Sequence, residues 1–141
     1  METVPYKSVA QLSTDGPTRV GPFLICANGF WVSRGKRSPV SRDQVEAAKT
    51  VLAQFRRTRM VQPNDCLAAG PLKHNVESLA GRYISRGALI IAAIEMGITV
   101  MPVYDEDRLY LSEDGRGLEP LISTAYIGIN YRDVERAVKA V

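Results

Sequence analysis

The chain has 141 residues, 45% of them apolar and 23% charged, with a formal net charge of +3. That length and balance predict one globular domain, 1–141, with a core of its own, and exclude wholesale disorder. Two cysteines, Cys26 and Cys66, supply neither a disulfide framework nor a metal pattern. No basic-then-apolar leader opens the chain, so a reducing, cytoplasmic setting is expected.

Residues 1–19 read as irregular, punctuated by Pro5, Gly16 and Pro17. The stretch Gly21–Ser33, GPFLICANGFWVS, places Asn28-Gly29 between two apolar runs. A two-residue Asn-Gly loop suits a type I′ turn, so a β-hairpin is expected near 23–33, with Trp31 packed against whatever covers it. After the basic turn SRGKRSP, Ser41 and Gln44 have the S-x-x-Q spacing of a capping box. Val45, Ala48, Leu52 and Phe55 follow at helical spacing, which predicts a helix over about 42–57. Thr58–Val61 reads as extended, and Gln62–Asp65 as a turn.

A second helix is expected over about 72–83, with Leu72, Val76, Leu79, Ala80 and Tyr83 as its apolar stripe. The third, about 86–96, is apolar almost all round: between Gly87 and Gly97, Leu89, Ile90, Ile91, Ile94 and Met96 accompany three alanines and a single charge, Glu95. Such a helix belongs at the centre of a core. It is too short to span a bilayer, which takes about 20 apolar residues. Ser85 is placed to cap it, and Gly97 to end it in a left-handed conformation. A second hairpin is expected near 98–111, turning at Tyr104-Asp105-Glu106-Asp107. Leu121–Ile129 reads as a further strand, and Asn130 caps a final helix over about 131–141. The fold class is α+β, built around the central apolar helix.

Charge is unevenly placed. Arg34 to Arg86 carries eleven Lys and Arg against four acids, whereas Gly87 onward has five bases and nine acids. The candidate phosphate-binding set is Arg34, Lys36, Arg37, Arg56, Arg57, Arg59, Lys73, Arg82 and Arg86. Arginines suit bidentate phosphate contacts, provided that they converge on one face. Within Leu79–Glu95, Ser85-Arg86-Gly87-Ala88-Leu89-Ile90 resembles the S-R-x-x-[LI]-I start of the second helix in ribbon-helix-helix repressors. The resemblance implies a basic strand that reads DNA as a dimeric ribbon, for which Phe55–Val61 is the candidate, although Gln62–Pro71 intervenes. The same stretch resembles a helix-turn-helix. A recognition helix, however, presents polar side chains to base edges, and this one offers leucine and isoleucine.

For catalysis the sequence is poor. His74 is the only histidine, with Glu77 three residues on, and no nucleophile elbow, P-loop, H-E-x-x-H or C-x-x-C occurs. The run Asp105-Glu106-Asp107 lacks the spacing of a calcium loop and reads as a solvated hairpin tip. No catalytic residue, metal ligand or cofactor is assigned. The expected function is a small non-enzymatic regulatory or accessory protein contacting nucleic acid through its basic middle segment. The alternative is a protein-interaction module, an adaptor or inhibitor, that binds an acidic partner or self-associates as a homodimer.

Overall fold

Residues 11–31, 35–58, 68–112 and 115–141 are described by a computed structural model. In chain order they form β1 (Thr18–Val20), β2 (Phe23–Cys26), β3 (Gly29–Phe30), α1 (Arg42–Leu52), α2 (Ala69–Ala80), α3 (Arg86–Glu95), β4 (Val100–Leu111), β5 (Leu118–Ile127) and α4 (Tyr131–Lys139). The strands make two antiparallel sheets, β1-β2-β3 and β4-β5, so the α+β class holds. None of these helices is long and apolar enough to cross a membrane.

Helix α3 is enclosed as its sequence demands: every residue from Gly87 to Ile94 is buried. Leu89, Ile90, Ile91 and Ile94, each fully enclosed, contribute about 1.5–3 kcal/mol apiece. Ser85 Oγ accepts from the Ala88 amide at the start of the helix, and Gly97, at φ +75°, follows its end. The neighbours of α3 are α1, α2, the β2–β3 hairpin and the first residues of β4. Gly87 permits the tightest of these approaches. A Cβ there would lie 1.9 Å from the Cys26 carbonyl oxygen, and the Gly87 amide donates to Ala27 O at 3.0 Å.

Several elements depart from expectation for identifiable reasons. The first hairpin gains the short strand β1, and its loop is Ala27-Asn28, since Cys26 pairs with Gly29. Asn28 keeps a negative φ, so no type I′ turn forms. The loop is instead pinned through Ala27, whose amide donates to Ser38 O and whose carbonyl accepts from Gly87. Ser41 caps α1, but Gln44 does not complete the box. Its Oε1 accepts from the Ser85 amide at 2.8 Å, tying the start of α1 to the start of α3.

Helix α1 ends at Leu52 and not near 57, because the chain turns to bury Phe55. Arg57 then bridges to Ile129, and the Thr58 amide donates to Gly128 O. Helix α2 starts earlier than expected, at Ala69, with Pro71 in its first turn, where a missing amide proton costs nothing. The second hairpin also reverses later. Asp105–Leu109 is a bulge within one continuous β4 rather than a tip. The strands instead close beyond Leu111, where the Ser112 amide donates to Gly117 O and Gly115 takes φ +71°. Asn130 caps α4 through the Asp133 amide. The turn expected at Gln62–Asp65 lies outside the described residues, as do 59–61 of the extended segment.

Candidate functional site

The two hairpins face one another across a cleft of about 250 Å³. The first contributes Phe23, Leu24, Phe30 and Trp31, with Pro22 at the β1–β2 turn. Phe23 and Phe30 meet edge to face, ring centroids 5.7 Å apart, an arrangement favoured by the ring quadrupoles. Trp31 follows β3, where its backbone amide donates to Leu24 O at 2.8 Å. Its indole N–H donates to Gly35 O at 3.2 Å, and the Arg37 guanidinium lies over its ring, 5.0 Å from the centroid. The segment Gly35–Ser38 therefore runs beside the hairpin and brings Lys36 and Arg37 to the tryptophan end of the cleft. Arg19 is opposite Leu24 in the β1–β2 register and so shares its face.

The second hairpin supplies Tyr104, Tyr110, Glu119, Pro120 and Ile122. Tyr110 and Glu119 are direct cross-strand partners, and the phenol hydroxyl donates to Glu119 Oε2 at 3.4 Å. Burial, reinforced by the Glu119 charge, pushes the Tyr110 phenol above its ordinary pKa, so the hydroxyl stays protonated as a donor. Five of the chain's aromatic side chains thus line one cleft that also holds a carboxylate. No histidine, cysteine or lysine is among the lining residues. The chemistry on offer is recognition: stacking faces, a phenol, and one acceptor-only anion.

The structure distributes the sequence-derived bases over several places. Lys36 and Arg37 lie beside the cleft. Arg56 is held by Asp133: its backbone amide and Nε donate to Oδ2 at 2.9 and 3.1 Å, and Nη2 to Oδ1 at 2.9 Å. These hydrogen bonds, with help from Arg136, hold the Asp133 carboxyl far below the usual range. Arg57 is exposed beside the backbone bridge to Ile129. Lys73 pairs with Glu77 at 2.9 Å and lies over the Tyr83 ring at 4.7 Å. Arg82 is exposed at the α2–α3 turn. Arg86 packs its aliphatic stem against Gly29 and reaches toward Gly70, and its Nε is buried with no hydrogen-bond partner. Arg34 and Arg59 lie outside the described residues.

The other candidates resolve into structural contacts. Glu77 Oε1 meets His74 Nδ1 at 3.5 Å, while Oε2 accepts from the Ile84 amide. His74 itself is 78% exposed by side chain. Burial raises the Glu77 pKa, but Lys73 and the Ile84 amide outweigh it, so the group titrates below its ordinary value. The carboxylates of Asp105-Glu106-Asp107 sit on the β4 bulge, where Asp105 Oδ1 accepts from the Asp107 amide. Among the described residues, no group of His, Cys, Asp or Glu is placed to hold a metal ion. Cys26 is buried, whereas Cys66 is outside the described residues.

Sequence reasoning does not reveal the cleft, because it weighs Trp31 alone, as a packing residue of the first hairpin. The available signal was that aromatics concentrate on the two β-hairpins. For the ribbon-helix-helix resemblance, the structure shows that Arg57 pairs with the chain's own Ile129 and Arg56 with its own Asp133. No protein-family model, curated protein or solved structure matches this chain significantly.

Proposed function

We propose that this chain is a non-enzymatic accessory protein, acting in the cytoplasm, that binds single-stranded nucleic acid. The cleft seats an unpaired base, and neighbouring cations meet the phosphates. The observation that carries this reading is the meeting of stacking rings and a guanidinium: Trp31, Tyr104 and Tyr110 line the cleft, and Arg37 lies 5.0 Å over Trp31. Proteins that hold single strands combine aromatic platforms, worth about 1–3 kcal/mol per stacked base, with cations that follow the backbone. A cleft of about 250 Å³ is smaller than the roughly 300–1,000 Å³ typical of drug-sized ligands, in keeping with one base. A base inside a duplex has no exposed ring face to offer. Lys36 and Arg37 are the nearest phosphate contacts; Arg57, Arg82 and Arg86 are candidates for contacts further along a strand. Arg56 and Lys73 are already neutralised within the fold.

The test is fluorescence anisotropy with a labelled single-stranded 12-mer and the matching duplex, between 50 and 300 mM salt. The single strand is expected to bind more tightly, with affinity falling as salt rises. Joint replacement of Lys36 and Arg37 by Ala should lower the slope of log K against log salt by about 1.4, at roughly 0.7 per lost phosphate contact. Trp31→Ala should weaken binding tenfold or more. Affinity indifferent to salt and to both changes rejects the reading.

A second reading, a protein-interaction module, is favoured by one observation. Leu109, Leu111 and Leu118 are 57%, 44% and 63% exposed, and they share the hairpin face opposite Tyr110 and Glu119. Light scattering over a range of concentrations tests its self-associating form, which a constant monomer mass rejects.

A further inference from the structure

Stacking alone does not choose among bases, and the cleft contains one group that does. Glu119 lines it with a carboxylate, which accepts hydrogen bonds through both oxygens and donates none. Tyr110 engages only Oε2, at the long distance of 3.4 Å, and so orients the carboxylate while leaving acceptor capacity on both oxygens. An acceptor pair of this shape is satisfied by two adjacent donors. Guanine presents that pattern on its pairing edge, N1–H beside the 2-amino group. Adenine and cytosine each set one amino donor beside a ring-nitrogen acceptor, and thymine and uracil set one N–H between two carbonyls. Opposite a carboxylate, each of those acceptors is repelled.

From this geometry we propose that the cleft selects guanine, with Glu119 accepting from N1–H and the 2-amino group while the ring stacks on the aromatic walls. The inference rests on the single-strand reading above and deepens it. A simple organic cation is the other ligand that aromatic rings with a carboxylate attract, but it would meet the positive Arg37 over Trp31 and, on the same sheet face as Leu24, Arg19. A guanine nucleotide is complementary to both ends, its base to the carboxylate and its phosphate to the arginines.

Trp31, the only tryptophan, lines the cleft and reports occupancy through its own fluorescence. Heptamers of thymidine are titrated with a central thymine, guanine or hypoxanthine, alongside free GMP and AMP. The guanine heptamer is expected to bind about tenfold tighter than the all-thymine one, the scale of a good bidentate pair. Hypoxanthine lacks only the 2-amino group and should forfeit most of that gain. Glu119→Gln, at an exposed sheet position, should abolish the preference while melting near the wild-type temperature. Because hypoxanthine alters the ligand and not the protein, the result does not depend on how that variant folds.

Equal binding of the three heptamers would overturn guanine selection and leave the single-strand reading standing. GMP bound in preference to AMP with no heptamer bound would support guanine selection and overturn the strand reading. Silence from heptamers and mononucleotides alike would overturn both.

Discussion

Glu95 is the single charge on α3 beyond its first residue, Arg86, and its carboxylate has been taken almost out of water. Its side chain is 6% exposed and accepts from Arg42 at 2.6 Å and from Lys49 at 2.7 Å. Burial pushes its pKa up, but hydrogen bonds from the two cations push it down further, and the net shift is downward. A carboxylate with a lowered folded-state pKa stabilises the fold at pH above its unfolded value, about 4.3. It loses that contribution as pH falls through the folded value. Glu77 and Asp133 are shifted in the same direction and add to the same acid limb. Glu95→Gln is expected to cost about 1.5–3 kcal/mol at pH 7, the range for hydrogen bonds to charged groups. It should also flatten the loss of stability below pH 5. Urea melts followed by Trp31 fluorescence across pH 2–7 check both; a parallel acid limb in the variant would refute the assignment.

At the scale of elements, the contact between α3 and the β2–β3 hairpin depends on one residue without a side chain. Gly87→Ala would place a methyl 1.9 Å from the Cys26 carbonyl oxygen, and 3.1 Å from a Val40 methyl. Backbone cannot yield there without breaking the Gly87–Ala27 hydrogen bond. A loss of about 3 kcal/mol or more is expected, at or beyond the upper end for overpacking. Gly117→Ala meets nothing within 4 Å and should melt within about 0.5 kcal/mol of wild type. Similar melting temperatures for the two variants would contradict this account.

The same elements show what could be read in advance. The helical caps Ser41, Ser85 and Asn130, and the buried α3, follow from spacing and local chemistry that act within a few residues. The destination of Gln44 does not, since Ser85 is 41 residues away. Nor does the cleft, whose walls come from Phe23–Trp31 and Tyr104–Ile122 and meet only after both hairpins dock. The turn of the second hairpin was misplaced because Tyr104–Asp107 has turn composition, yet bulges in place. Cross-strand partners far along the chain decide that, and composition does not record them.

Across the whole molecule, the contrast between a basic middle and an acidic end is used in part internally. Arg42 and Lys49 bind Glu95, and Arg56 binds Asp133, so bases of the middle segment hold acids of the end. Net charge along the chain therefore overstates the cation surface open to a ligand. One consequence concerns the outer border of the second sheet. Strand β4 has β5 on one side and, among the described residues, no strand on the other. Open borders of this kind invite pairing with foreign strands unless charge or irregular geometry interferes, and the bulge at Asp105–Leu109 supplies both. The joint change Asp105→Asn, Glu106→Gln and Asp107→Asn should leave the monomer folded but turn that border into a template for fibrils. Thioflavin T fluorescence would then rise on standing in the variant alone, and a flat trace from both proteins would show that the acids guard nothing.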